Sequence, residues 1–269
     1  MPRDVLSRYR VRIVGRGSRT MLLAHGFATD QRIWRLLSPH FESEYRVVLF
    51  DYLGAGQSDL DAYGARRYDS LDGYASDLLE LCEALDVHDA ILVAHSVSGM
   101  VGVLAANREP TRFSDLVLIA PSPRYLNDAG YTGGFERDEV DQMLHTMEKD
   151  YAGWALFLAP RVTQNSDRPW LAFEVEQSFR DTNPKVARHL AQVLFYSDHR
   201  DDLAKVTVPS LILQCADDLI VPETVGEYLR DNVPHSTLRF LAAHGHYPQL
   251  TDPDETAAAI HEYLRRRAV

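Results

Sequence analysis

The strongest constraint on the fold is the regular alternation of short apolar runs with longer stretches of helical period. Apolar runs of about four to eight residues between turn-forming residues are typical of buried strands, and the stretches between them are typical of crossover helices. The sequence therefore predicts an α/β protein with a mostly parallel central sheet flanked by helices. The predicted strands are residues 10–14, 21–24, 46–50, 90–94, 115–120, 210–214 and 237–241.

Two local features refine this prediction. Residues 15–18 favour a turn, so the first two strands are predicted to pair as a hairpin. Between the third and fourth strands, apolar residues recur three and four positions apart and predict one amphipathic helix. Asp69 and Ser70 are both candidates for capping its start. The apolar residues of this helix are Leu71, Tyr74, Ala75, Leu78, Cys82 and Leu85.

The alternation stops after Pro121. From Ser122 to about Asp198 the sequence has several stretches of helical period and no convincing strand. A helical insertion between two strands of a parallel sheet is most simply a cap over the carboxyl edge of the sheet, where ligands bind. The sequence therefore predicts a core domain of residues 1–121 and 198–269 and a helical cap of residues 122–197.

Charge and composition limit the kinds of partner that the protein can bind and indicate its cellular compartment. The formal net charge is −11 at pH 7, so no nucleic-acid partner is predicted. Residues 1–15 carry charges throughout and lack the apolar core of a signal peptide, and no run approaches the roughly 18 apolar residues of a membrane span. Cys82 and Cys215 are too few for a disulfide scaffold. We therefore expect a cytoplasmic protein that does not bind a membrane.

The first chemical signal follows the predicted strand 90–94. Ser96 lies where this strand runs directly into a helical stretch, and a serine on a sharp strand-to-helix turn is the nucleophile elbow of α/β-hydrolases. The usual pattern is G-x-S-x-G, and Ala94 and Ser98 occupy the glycine positions here. Both residues are small, as the turn requires. Taken alone, a serine that caps a helix is the more frequent explanation of such a pentapeptide.

The loop after the second predicted strand supports the hydrolase interpretation. His25-Gly26-Phe27 lies where the oxyanion loop of such an enzyme belongs. The backbone amides of Phe27 and Val97 are predicted to converge on a developing oxyanion, where each donor typically contributes a few kcal/mol.

The segment 51–58 follows the third strand and matches the D-x-x-G-x-G-x-S turn common in this fold. A dinucleotide-binding loop is the alternative interpretation of its glycines. The third glycine of that fingerprint is missing, however, and Asp59 would repel a pyrophosphate. We therefore predict that Asp51 and Ser58 have a structural role and hold loops near the site.

A nucleophilic serine requires a base, and the base requires an orienting carboxylate. In α/β-hydrolases the acid and then the histidine follow the serine along the chain. Asp217 and Asp218 follow the sixth predicted strand, and His244 and His246 follow the seventh. Asp218 is favoured because it begins a D-x-x-V-P pattern, and His246 because it follows a glycine. A His-x-His pair could also ligate a metal, but no third ligand is evident nearby, so no metal is predicted.

Further motifs extend over most of the chain. They are His25-Gly26-Phe27, Asp30-Gln31, Trp34, Asp51-Tyr52-Leu53-Gly54-Ala55-Gly56, Leu71-Asp72-Gly73-Tyr74, His95-Ser96-Val97-Ser98, residues 121–128, Gly133-Gly134-Phe135, residues 197–200 and residues 208–214. Together they resemble the RsbQ-like α/β-hydrolases, a group that contains a bacterial regulator of the sigma-B stress pathway and the plant karrikin and strigolactone receptors. The similarity runs from about Ser7 to the C-terminus. Ala94 departs from this group, which usually has glycine at that position.

The resemblance implies a cap of four helices in two V-shaped layers over a deep apolar pocket. By this resemblance, the positions that would line the pocket are Phe27, His95, Tyr125, Trp154, Phe157, Phe173 and Phe195. For any one of these aromatic residues, packing between cap helices is the alternative role. As a set, they predict a small hydrophobic ligand with an ester, lactone or enol-ether carbonyl.

Two functions are compatible with these residues. The first is a serine hydrolase that cleaves a small apolar ester or lactone with Ser96, His246 and Asp218 and needs no cofactor. The second is a signalling protein that uses the same site to process or sense a small molecule. For that case, the resemblance implies a phosphatase partner in a stress response. Haloalkane dehalogenation is excluded, because it would need aspartate at the position of the serine.

Overall fold

The computed structural model of the protein describes residues 2–267, which form a seven-stranded sheet flanked by helices. The predicted α/β architecture is confirmed. The strands are β1 (Arg12–Val14), β2 (Arg19–Ala24), β3 (Tyr45–Leu49), β4 (Ala90–His95), β5 (Phe113–Ile119), β6 (Ser210–Ala216) and β7 (Ser236–His244). The helices are α1 (Pro2–Arg8), α2 (Leu71–Ala84), α3 (Val97–Arg108), α4 (Arg137–Lys149), α5 (Tyr151–Thr163), α6 (Pro169–Asp181), α7 (Pro184–Tyr196), α8 (Arg200–Leu203), α9 (Glu223–Asn232), α10 (Pro248–Thr251) and α11 (Pro253–Arg267).

The strand order in the sheet is β1-β3-β2-β4-β5-β6-β7. All neighbouring pairs are parallel except β1 and β3, which are antiparallel. Each predicted strand is present, with ends shifted by a few residues. Because β2, β4, β6 and β7 run in one direction, the loops that follow them meet at one edge of the sheet. That edge is where Ser96, Asp218 and His246 lie.

The predicted hairpin between the first two strands is wrong. β1 pairs with β3, and β2 has β3 and β4 as its two parallel neighbours. Both edges of β2 are therefore occupied, and the short β1 can only extend the sheet at the free edge of β3. The connecting segment crosses the start of β3 closely, since a Cβ added to Gly15 would lie 2.2 Å from the Tyr45 carbonyl oxygen. Gly15 has a φ of 82°, which favours glycine.

The centre of the sheet is the most buried part of the core. Residues 21–24 of β2 and 90–94 of β4 have no exposed surface. Such continuous burial is expected where helices cover both faces of a parallel sheet. Each buried leucine, isoleucine or valine side chain there contributes about 1.5–3 kcal/mol to folding. The central strands therefore form a rigid platform for the loops at their carboxyl ends.

Helix α2 forms where the apolar spacing predicts it. Ser70, and not Asp69, caps its start, because the Ser70 hydroxyl accepts a hydrogen bond from the Asp72 amide at 3.3 Å. The apolar side of the helix, which includes Leu71, Leu78 and Cys82, is buried in the core.

Four successive helices, α4 to α7, lie between β5 and β6 in the segment predicted to form the cap. Their ends are set by local chemistry. Asp150 caps α5 by accepting from the Gly153 amide at 2.8 Å, and Asn183 caps α7 with Pro184 in the first turn. α5 packs against α6, and α4 packs against α7. The two-layer V shape of the cap stays a prediction.

Two further expectations concern the chain as a whole. Cys82 and Cys215 are both buried and unpaired, as expected for a chain without a disulfide scaffold. Across residues 2–267, none of the helices combines the length and apolar character needed to span a lipid bilayer.

Candidate active site

Ser96 occupies the sharp turn between β4 and α3. Its φ of 56° and ψ of −122° lie in a region that costs a non-glycine residue about 1–3 kcal/mol. The turn is fixed on both sides. The Ser96 amide donates to the Ile119 carbonyl at 2.8 Å, and the Gly99 amide donates to the Ser96 carbonyl at 2.8 Å. The geometry is that of the predicted nucleophile elbow.

The packing around the elbow explains how the turn forms without the usual glycines. Ala94 and Ser98 are fully buried, so neither position has room for a large side chain. The Ser98 hydroxyl is also satisfied, because it donates to the carbonyl of His25. This hydrogen bond joins the elbow to the loop after β2. Space is also limited at Gly99, where an added Cβ would lie 2.7 Å from Pro121.

The three predicted triad residues lie in one hydrogen-bonded line. His246 Nε2 is 2.8 Å from Ser96 Oγ, and His246 Nδ1 is 2.7 Å from Asp218 Oδ2. All three residues are buried. Because a carboxylate only accepts, Nδ1 carries a proton toward Asp218, and Nε2 is left to accept the proton of Ser96. This is the arrangement of a base oriented by an acid beside a nucleophile.

Asp218 is held in place by the chain that follows it. Its Oδ1 accepts hydrogen bonds from the amides of Ile220 at 2.8 Å and Val221 at 3.2 Å. Both carboxylate oxygens therefore have partners, which fixes the direction of the acceptor for His246. The D-x-x-V-P pattern supplies these two amides.

The alternative acid and histidine form a second pair on the same two loops. His244 Nδ1 lies 2.9 Å from Asp217 Oδ2. The side chains of Asp217 and His244 are 72% and 59% exposed, whereas that of Asp218 has no exposed surface. The structure therefore brings Asp218 and His246 to Ser96, and leaves the other pair in solvent.

His95 lies beneath the triad and does not line the cavity, so that prediction is wrong. Burial lowers the pKa of His95 well below its usual value, and the neighbouring His246 lowers it further. The ring is therefore neutral. Its Nε2 is 2.8 Å from the His246 carbonyl oxygen, which can only accept, so Nε2 carries the proton. His95 thus supports the main chain of His246 from below.

The backbone amides of Phe27 and Val97 are free to act as donors. Within residues 2–267, neither amide donates a hydrogen bond to a protein acceptor. Val97 is also the first residue of α3, and the unpaired amides of a helix start favour an anion. Two free amides, one on the loop after β2 and one directly after Ser96, are what the predicted oxyanion hole requires.

A cavity of about 70 Å³ lies between Ser96 and the cap. Of the positions predicted to line it, Phe27, Tyr125, Trp154 and Phe195 do so. The lining is mostly apolar. Some of its rings contact each other edge to face, as do Phe27 and Trp154 with centroids 6.1 Å apart. The lining residues are Phe27, Ser96, Tyr125, Phe135, Met143, Trp154, Leu158, Val162, Phe179, Leu194, Phe195, Ile220, His246 and Tyr247.

The prediction that Phe157 and Phe173 line the cavity is wrong, since the two residues are 58% and 59% exposed. In α5, the positions four and eight residues after Trp154 share its face, and these are Leu158 and Val162. Phe157 falls outside this face, with the Arg161 guanidinium 3.5 Å from its ring centroid. Phe173 likewise lies on the side of α6 opposite the buried face.

Tyr125 contributes a buried hydroxyl without a hydrogen-bond partner to the cavity wall. Its side chain is 1% exposed, and its hydroxyl makes no hydrogen bond within the described part of the chain. Burial raises the pKa of Tyr125, so the hydroxyl keeps its proton at neutral pH. A buried donor without a partner in an apolar wall is suited to hydrogen-bond an acceptor of a bound ligand.

Residues other than the predicted ones also shape the site. Val162, at the end of α5, accepts a hydrogen bond from the His246 amide at 2.7 Å. The cavity has additional lining residues, among them Phe135, Met143 and Phe179. The sequence did not indicate that these side chains face one common cavity. Apart from Phe135, which ends the Gly133-Gly134-Phe135 motif, no short motif marks them.

The loop 51–58 has the structural role predicted for it. Asp51 accepts hydrogen bonds from the amides of Gln31 at 2.9 Å and Gln57 at 3.0 Å, and the Ser58 hydroxyl accepts from the Gly54 amide at 3.0 Å. The amides of Gln31 and Gln57 are thus satisfied by a carboxylate of the protein itself. Among residues 2–267, no three His, Cys, Asp or Glu side chains lie close enough together to hold a metal ion.

Comparison with known proteins agrees with this geometry. The model of the alpha/beta hydrolase family matches residues 21–259. Strigolactone esterase D14 of Arabidopsis thaliana is 39% identical over 264 residues, which are 98% of this chain and 97% of that protein. Karrikin insensitive 2 receptor CA of Petunia hybrida is 40% identical over 247 residues, 91% of this chain and 92% of that protein. The structure of a hydrolase from Oleispira antarctica superposes with a TM-score of 0.95 at 39% identity, covering 98% and 97% of the two chains. The chain belongs to the alpha/beta hydrolase family.

Proposed function

We propose that this protein is a serine hydrolase that cleaves a small hydrophobic ester or lactone. The observation that carries the proposal is the buried line of hydrogen bonds from Asp218 through His246 to Ser96, at the floor of an apolar cavity. The esterases among the relatives support the same class of reaction. Ester and lactone carbonyls are electrophiles that an activated serine attacks without a cofactor.

The first half of the reaction forms an acyl-enzyme. Ser96 Oγ attacks the carbonyl carbon while His246 Nε2 takes its proton. The carbonyl electron pair moves onto oxygen, which the amides of Phe27 and Val97 stabilise. When the pair returns, the bond to the leaving oxygen breaks and His246 donates the proton to that oxygen. In a lactone, the leaving alcohol stays tethered to the acyl group.

The second half regenerates the enzyme. Water attacks the acyl carbon as His246 removes its proton, and the same amides hold the second oxyanion. Collapse of this intermediate breaks the bond to Ser96 Oγ, which recovers its proton from His246. Throughout the cycle, Asp218 keeps the imidazole oriented and stabilises its protonated form.

The cavity sets the class of ligand. Its lining is apolar apart from Ser96, His246 and the hydroxyls of Tyr125 and Tyr247. A volume of about 70 Å³ is well below the roughly 300 Å³ at which ordinary ligand pockets begin. We therefore propose a small ligand with one polar carbonyl group, whose entry requires the cap residues to move apart.

The test is hydrolysis of a short-chain aryl ester by the wild type and Ser96→Ala, followed by intact-protein mass spectrometry. Ser96→Ala is expected to fold normally and to lose at least about 10⁴-fold in kcat. The wild type should show an acyl adduct that the variant lacks. Turnover by Ser96→Ala at the rate of the wild type would refute the mechanism.

A second candidate function is RsbQ-like signalling, in which the site senses or processes a small molecule and the protein then activates a phosphatase. Two observations favour it. Relatives include a protein named as a receptor, Karrikin insensitive 2 receptor CA. In addition, Leu156, Phe157, Trp170 and Phe173 are large apolar residues exposed on the adjacent helices α5 and α6, and exposed apolar patches often bind other proteins.

The signalling function differs from the metabolic hydrolase in the expected turnover rate and in its need for the exposed apolar residues of α5 and α6. A signalling protein should turn over slowly or retain its acyl adduct, and a gene for a sensor-domain phosphatase should lie beside its own. Phe157→Glu and Phe173→Glu should then abolish activation of that phosphatase and leave ester hydrolysis unchanged. Rapid turnover and a catabolic gene neighbourhood would instead favour the metabolic hydrolase.

A further inference from the structure

The loop after β2, residues 25–30, carries one of the two proposed oxyanion donors and is held from several sides. His25 Nε2 accepts from the Tyr52 amide at 3.0 Å, and the Thr29 hydroxyl donates to the Gly26 carbonyl at 3.1 Å. Ala28 is different, since its φ is 52° and it is 97% buried. A left-handed alanine must be stabilised by its surroundings.

The stabilising contact at Ala28 comes from the cap. The Thr182 hydroxyl lies 3.1 Å from the Ala28 carbonyl oxygen. Within residues 2–267, this carbonyl accepts no other hydrogen bond. Thr182 is 5% exposed and is the residue that ends α6, directly before the cap of α7. A residue of α6–α7 thus holds the peptide two units along the chain from the one that carries the Phe27 amide.

The hydroxyl has a second acceptor within reach. Its oxygen is also 3.1 Å from the carbonyl of Ser178, one turn earlier in α6. A hydroxyl has one proton, so the two carbonyls share or compete for it. The Ala28 carbonyl lies in a buried residue without another donor, and leaving such a group unpaired costs about 1–3 kcal/mol. The Ser178 carbonyl does not accept the Thr182 amide, which donates to Phe179 instead. The hydroxyl proton is therefore shared between the Ala28 and Ser178 carbonyls.

Neighbouring contacts keep the end of α6 at this loop. The Ser178 hydroxyl lies 3.4 Å from Asp30 Oδ2, and Arg32 bridges Asp30 and Asp181, with Nη2 2.7 Å from an oxygen of each. Asp30 is buried and lies two residues after Ala28. The position of Thr182 over Ala28 is thus fixed independently of its own hydroxyl.

We propose that Thr182 is a positioning residue for the oxyanion hole. Its hydroxyl fixes the Ala28 carbonyl and so maintains the left-handed turn that presents the Phe27 amide to the reacting carbonyl. This inference rests on the proposed function, since it gives a catalytic purpose to the contact. It also means that the junction of α6 and α7 contributes to the rate of the chemical step, although Thr182 touches no substrate.

The experiment compares Thr182→Val, which removes the hydroxyl at similar size, with Thr182→Ser, which keeps it. The matched control is Thr256→Val, because Thr256 is also fully buried and its hydroxyl donates to the Asp252 carbonyl at the start of α11. On an aryl ester, Thr182→Val should lose between about tenfold and a hundredfold in kcat with little change in KM. Thr182→Ser and Thr256→Val should retain the kcat of the wild type.

A second readout does not depend on turnover. In protein labelled with ¹⁵N-phenylalanine, the amide signal of Phe27 is assigned by its loss in Phe27→Leu. Thr182→Val should shift this signal, whereas Thr182→Ser and Thr256→Val should leave it in place. If Thr182→Val does not fold, Thr182→Ala serves for both measurements, because it also lacks the hydroxyl.

The outcomes separate the two proposals. An unmoved Phe27 signal in folded Thr182→Val overturns the positioning role, whatever the rate. A kcat equal to that of the wild type in this variant also overturns it, provided that the wild type shows turnover dependent on Ser96. Absence of Ser96-dependent turnover in the wild type would refute the proposed hydrolase instead, and a shifted Phe27 signal would still support the contact.

Discussion

At the scale of single residues, burial selects which of two similar pairs can act. Asp217 with His244 and Asp218 with His246 lie on the same two loops at hydrogen-bond distance. The first pair is exposed, where an ion pair contributes about 0–1 kcal/mol. The second pair is shielded from water beside Ser96, where hydrogen bonds to a charged group are stronger and orientation is fixed.

Substitution of the two aspartates should therefore have unequal effects. Asp218→Asn is expected to reduce kcat by about 10³–10⁴-fold, because an amide can hold the imidazole in the wrong tautomer. Asp217→Asn should leave kcat within about twofold of the wild type, since its carboxylate faces solvent. Steady-state hydrolysis of an aryl ester measures both. Equal losses in the two variants would contradict the assignment of the acid.

Tyr125→Phe tests the hydroxyl without a partner in the cavity wall. Removing a buried, unpaired hydroxyl should leave the melting temperature unchanged or slightly higher, because no protein hydrogen bond is lost. If the hydroxyl binds the ligand, KM should rise by about three- to tenfold, the equivalent of a hydrogen bond of roughly 0.5–1.5 kcal/mol. A lower melting temperature with unchanged KM would show that the hydroxyl has a structural role.

At the scale of elements, the cap helices determine which apolar residues meet the ligand. α5 turns Trp154, Leu158 and Val162 toward the cavity and leaves Leu156 and Phe157 in solvent. The apolar residues of this helix nearly surround it, so their spacing alone does not identify the face that packs. Contact with α6 and with the catalytic loops makes that choice.

Two adjacent positions of α5 test this orientation. Leu158→Ala should enlarge the cavity and shift the preference toward esters with longer acyl chains. Because Leu158 is half-buried, its cost in stability should be below the roughly 2–5 kcal/mol of a fully buried leucine. Phe157→Ala is the matched control and should leave the substrate preference unchanged, because its ring lies on the outer surface. The substrate preference of both variants is measured as kcat/KM over a series of acyl-chain lengths. A shift caused by Phe157→Ala alone would place that ring in the pocket.

At the scale of the whole molecule, charged contacts join α6 to the segment that follows β2. Arg32 bridges Asp30 and Asp181, and Arg35 Nε lies 3.0 Å from Glu174 Oε2. Burial opposes ionisation of Asp30, but the hydrogen bonds from Arg32 outweigh it, so the pKa of Asp30 is lowered in the folded protein. The contact between core and cap is therefore sensitive to acid.

The direction of the pH effect follows from the lowered pKa. The folded protein holds Asp30 deprotonated more strongly than the unfolded chain, so the carboxylate contributes stability above its unfolded pKa of about 3.9. This contribution is lost as the pH falls through the lower folded value. Asp30→Asn should reduce the melting temperature at pH 7, and its difference from the wild type should shrink toward pH 3. A difference that is constant over this range would refute the linkage.

Much of the architecture follows directly from the sequence. The apolar runs predicted all seven strands, and the stretch without strands predicted the four helices between β5 and β6. Ser96, Asp218 and His246 were predictable because each follows a strand whose carboxyl end meets the same sheet edge. These features are local, since they depend on propensity and on short motifs that a few consecutive residues carry.

The tertiary structure determines strand pairing and side-chain orientation, which local sequence patterns do not specify. β1 pairs with β3 because the edges of β2 are already occupied. His95 supports the triad from beneath it, and Phe157 and Phe173 face solvent, because helix orientation depends on neighbouring elements. The contact between Thr182 and Ala28 joins residues 154 positions apart. Such contacts arise only when the chain is folded, since no property of either residue alone indicates its partner.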